Sequence, residues 1–65
     1  METYETRLNT ALRRVEEQEK LVAVSRETMS GLAKEGQPTD LAEKMLRLME
    51  ARLHAFRADL AKLGN

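Results

Sequence analysis

Apolar side chains recur along this chain at alternating steps of four and three, in two series with one break between them. The first series is Tyr4, Leu8, Ala11, Val15, Val22, Met29 and Leu32, with Gln18 and Ser25 as its two polar members. The second is Ala42, Leu46, Met49, Leu53, Phe56, Leu60 and Leu63. Alternating fours and threes make the heptad seam of helices that pack side by side. No segment alternates with period two over a useful length, so no strand is expected. The residues between the seam positions are mostly Ala, Leu, Glu, Lys, Arg and Met, all good helix formers.

The break reads Gly36-Gln37-Pro38-Thr39-Asp40. Gly36 suits the residue just past a helix end, because glycine takes the left-handed conformation without strain. Pro38 cannot continue the first helix, and Thr39 or Asp40 can cap the next. Asp40-Leu41-Ala42-Glu43 has the reach of a capping box. The pattern therefore predicts a first helix over about 3–35, a turn at 36–39, and a second helix over about 40–63. Thr3 is the expected first cap, with Glu2 and Glu5 suited to the positive end of the helix dipole. Gly64 and Asn65 close the second helix. Gly31 lies off the seam and weakens the first helix by about 1 kcal/mol relative to alanine.

A turn this short makes the helices antiparallel neighbours, so the expected fold is all-α: one helical hairpin over residues 1–65. Facing residues should then have numbers summing to roughly 75. That register sets Val15 near Leu60, Val22 near Leu53, Met29 near Leu46, Gln18 near Phe56 and Ser25 near Met49. Residues 1–10 have nothing opposite them in this register, although the seam continues through Tyr4 and Leu8. Leu41, Met45 and Leu48 form a second apolar row on the second helix, and Leu12 and Leu21 widen the stripe on the first. The surplus Tyr4, Leu8, Leu41, Met45 and Leu48 calls for a partner, and two hairpins joined as a four-helix bundle are the economical one. Gln18 and Ser25 are candidates for fixing register, as buried polar seam residues do.

Composition sharpens this picture mainly by exclusion. A chain of 65 residues with no cysteine has neither a disulfide nor a thiolate metal site, so its stability must come from helix packing or from oligomerisation. The single histidine, His54, lacks a nucleophile or an orienting partner, and no Glu-x-x-His occurs among the glutamates. No metal, cofactor or catalytic residue is expected. Eleven Lys and Arg balance eleven Asp and Glu, which argues against strong phosphate binding. Arg7, Arg13, Arg14 and Arg26, with Lys44, Arg47, Arg52 and Arg57, nevertheless form basic faces interleaved with glutamate. There is no apolar run long enough for a membrane span and no signal peptide, so a cytoplasmic protein is expected.

The stretch Gly36-x-x-Thr39-x-x-Ala42-x-x-x-Leu46 resembles a turn that recurs in short bacterial helical-hairpin proteins, and this resemblance implies no activity. In size and plan the chain is also similar to the plasmid copy-number hairpin dimers of the ROP type, which grip RNA loops with one face of the bundle. That similarity implies a homodimer. Together these readings lead to a non-enzymatic interaction or regulatory protein that self-associates and binds another protein. The alternative is an RNA- or DNA-binding hairpin dimer that uses the arginine faces.

Overall fold

The computed structural model describes residues 3–64. Glu2 and Asn65, assigned above to the chain-end caps, lie outside the described residues. Two helices, α1 (Tyr4–Lys34) and α2 (Asp40–Gly64), pack against each other, and the described residues contain no strand. The hairpin measures 50 × 18 × 14 Å.

Local chemistry sets the helix ends. Thr3 is extended (φ −94°, ψ 167°), and its hydroxyl accepts the Thr6 backbone N–H at 3.1 Å. At the other end of α1 the Gly36 N–H bonds to the Ala33 carbonyl at 3.1 Å and the Gln37 N–H to the Leu32 carbonyl at 2.9 Å. This is the Schellman pair, and it requires a left-handed residue at its centre. Gly36 supplies it with φ 73°.

The start of α2 differs from the expected capping box. Thr39 is the capping position: its carbonyl takes the first helical bond, from the Glu43 N–H at 2.8 Å. Asp40 is already helical. The third position past the cap is therefore Ala42, which has no side chain to reach back, and the Asp40–Glu43 reciprocal pair is one residue out of step. Both carboxylates instead sit in the first turn, where the helix dipole favours them.

The seam residues form the interior. Val15, Val22, Leu46 and Leu53 are its buried centre, with Met29, Met49, Phe56 and Leu60 packed around them. Ala11 and Gln18 are buried as well. Three polar contacts between the helices lie at the expected register, whereas Gln18, expected near Phe56, bonds to Met49 instead. Ser25 Oγ lies 2.8 Å from Met49 Sδ, Arg26 pairs with Glu50 at 3.3 Å, and Arg57 pairs with Glu19 at 3.9 Å. These pairs sum to 74, 76 and 76, around the sequence-derived value. Both ion pairs are exposed and contribute little stability, so the apolar seam carries the fold.

One expectation is corrected. Tyr4 is not unopposed, because its hydroxyl donates to the Leu63 carbonyl at 2.6 Å. The last four carbonyls of a helix have no partner within it, and the long tyrosine side chain supplies one here. Tyr4–Leu63 and Gln18–Met49 both sum to 67, lower than the side-chain pairs, and in both the acceptor is a backbone carbonyl of α2. Carbonyls of α2 point toward its C-terminus, the end where α1 begins.

Candidate interaction surface

In an antiparallel helix pair, two flanks border the seam, and heptad position decides which side chains share each one. The two flanks of this hairpin differ sharply. One carries Glu19 and Arg26 from α1 with Glu50, His54 and Arg57 from α2, around an open groove of about 460 Å³. Its charges are matched within the hairpin by the Arg26–Glu50 and Glu19–Arg57 pairs. His54 is exposed beside them. Two cations balance two carboxylates, so this groove offers no net charge to a ligand. Among the described residues, no cluster of three or more histidine or acidic side chains could hold a metal ion.

The opposite flank is apolar in its turn half. Val24, Thr28 and Leu32 of α1 line a groove of about 380 Å³ with Pro38, Leu41 and Met45. Met45 continues into a second groove of about 270 Å³ with Leu48, Met49 and Arg52. Leu41 is 75% exposed, Leu48 66%, Val24 59%, Leu21 48% and Met45 45%. Five large apolar side chains lie this open on one flank because each stands just off the seam, where a two-helix hairpin has no third element to cover it. Toward the open end the same flank turns polar, with Arg7, Thr10, Arg14 and Asp59 around a groove of about 290 Å³.

The structure splits the surplus residues named from the sequence. Leu41, Met45 and Leu48 come together near the turn. Tyr4 and Leu8 lie at the far end of a molecule 50 Å long, with Tyr4 tied to Leu63 and Leu8 half-buried in the seam. The turn residues Gly36, Pro38, Thr39 and Asp40 hold the chain reversal, and Pro38 also lines the apolar groove. The sequence reading missed Val24 and gave Leu21 only as a widening of the seam. The signal was available: both stand at heptad positions that share a flank with Met45 and Leu48.

Gln18 is the one buried polar side chain among the described residues, 4% exposed, and its Nε2 donates to the Met49 carbonyl at 2.9 Å. That carbonyl has two lone pairs, so it can accept this bond along with its helical one. Ser25 contacts the same residue through sulfur. Both polar seam residues of α1 therefore converge on Met49. Gln18→Leu is expected to raise the melting temperature by about 4–8 °C, the equivalent of about 1 kcal/mol, because it replaces a buried amide with an apolar side chain of similar size. It should also change the association state, since the register constraint is gone. Unchanged stability together with unchanged mass in light scattering would remove Gln18 from that role.

Comparison with protein-family models, with curated proteins and with solved structures finds no match to this chain. Among the described residues, no helix is long and apolar enough to cross a membrane.

Proposed function

We propose that this protein is a non-enzymatic helical interaction module that self-associates through the apolar flank near its turn and presents its remaining surface to another protein. The observation that supports this is the pairing of a thin core with an uncovered apolar flank. No large side chain among the described residues is completely enclosed, while Leu21, Val24, Leu41, Met45 and Leu48 stay open on one side. A chain this small, without a disulfide, gains most by covering such a surface. A two-fold four-helix bundle is the proposed assembly.

The arginine faces support a nucleic-acid reading less well. Net charge is zero, and Arg26 and Arg57 are engaged by Glu50 and Glu19. If association stabilises the fold, the melting temperature depends on protein concentration. It is expected to rise by several degrees between about 5 and 500 μM, followed by circular dichroism. A melting temperature constant over that range would remove self-association from the account.

A further inference from the structure

Gly31 stands in the last turn of α1, and nothing within the hairpin requires a glycine there: a Cβ added to it would meet nothing within 4 Å. It lies seven residues after Val24 and three after Thr28, on the same apolar flank. A glycine on such a face leaves room for the backbone or side chain of another helix. On α2 the flank runs from Leu41 and Leu48 to Ala55, again at seven-residue steps, so it passes from large to small.

Building on the self-association reading above, we propose that a second copy of the chain covers this flank. It packs antiparallel through the turn halves about a two-fold axis beside Leu48, and each open end projects past the other copy's turn. Under this symmetry α1 lies on α1 and α2 on α2. Leu48 meets Leu48 of the partner subunit at the axis. Leu41 faces Ala55 of the partner subunit, and Val24 fits the notch at Gly31 of the partner subunit. On either side of the axis large residues meet small ones, as close packing favours.

The two pairings constrain each other. Leu41–Ala55 and Leu48–Leu48 both sum to 96 on α2. With the hairpin's side-chain pairs summing to 74–76, that offset demands 52–56 for α1 pairs. Val24–Gly31 sums to 55.

Charge selects against the other two-fold arrangement, which runs parallel to the long axis. There α1 would lie level with the partner's α2. Arg14 and Asp59, with Lys62, would then be enclosed against the partner in a bundle interior, where charges lose their hydration. The antiparallel arrangement carries Arg14 and Lys62 beyond the partner's turn into water.

The chain has no cysteine, so a spin label at Lys62→Cys reports between copies without interference. The antiparallel dimer is expected to give an electron–electron distance of roughly 40–50 Å, from 1.5 Å of rise per residue. A distance under about 25 Å, as equal levels would give, overturns the antiparallel arrangement. No intermolecular signal at any concentration overturns self-association itself, a distinct failure. Gly31→Ala is expected to weaken association about tenfold by filling the notch, with the melting temperature of the dilute hairpin held or raised. Association unchanged or tightened by that substitution removes the notch.

Discussion

Leu53→Ala is expected to lower the melting temperature by about 10–30 °C and to leave much of the chain unfolded in dilute solution at 37 °C. Leu53 is 8% exposed and belongs to the buried centre with Val15, Val22 and Leu46. Truncating a buried leucine removes its transfer free energy and leaves a cavity, together about 2–5 kcal/mol. A chain of 65 residues has roughly 3–10 kcal/mol in total at the usual stability per residue. The loss is therefore a large fraction of the whole. Two antiparallel helices cannot refill the space, because no further layer stands behind the seam to move inward. Leu12→Ala is the matched control: at 41% exposure it should cost less than about 1 kcal/mol. Equal losses for the two variants would mean that the seam is not the core.

Leu41→Glu with Leu48→Glu is expected to abolish association while leaving the hairpin helical. At 75% and 66% exposure neither side chain contributes to the intramolecular core. Glutamate is a good helix former, so α2 itself is not disfavoured. In the proposed dimer the substitution places carboxylates across the two-fold axis, where both repulsion and desolvation oppose contact. The melting temperature of the variant should match that of dilute wild type and show no dependence on concentration. Weakening by 100-fold or more corresponds to about 2.7 kcal/mol, modest for two buried like charges. A double variant that associates as the wild type does would exclude this flank as the contact. Aggregation is not the expected failure, because the substitutions remove apolar surface rather than add it.

The hairpin and its register were readable from the sequence for a specific reason. Heptad spacing is a one-dimensional record of which side chains meet, and the turn residues state where the chain reverses. Every apolar seam position of α2, from Ala42 to Leu63, is buried or half-buried. What the sequence reading lost was lateral. Each helix's own stripe leaves Val24 out. Only with both helices set side by side does Val24 join Leu41 and Met45 around one groove. A register of facing side chains does not show the Tyr4–Leu63 bond, which runs from the end of a long side chain to a backbone carbonyl. The capping box failed over a single residue, since Thr39 takes the cap and Asp40 becomes the first helical residue. By spacing alone Gly31 is a local weakness of α1. Its meaning depends on the empty space around it, which spacing does not encode.

Solution mass across concentration, by sedimentation equilibrium, tests the central claim most directly. The overlap proposed is short on a hairpin 18 Å wide, so the contact is small and association in the micromolar range is expected, with a Kd of about 1–100 μM. Mass should rise from that of the 7.4 kDa chain at low concentration to twice that value and level off there. A mass that stays at the single-chain value up to millimolar concentration would contradict the account, and so would one that climbs past the dimer without a plateau.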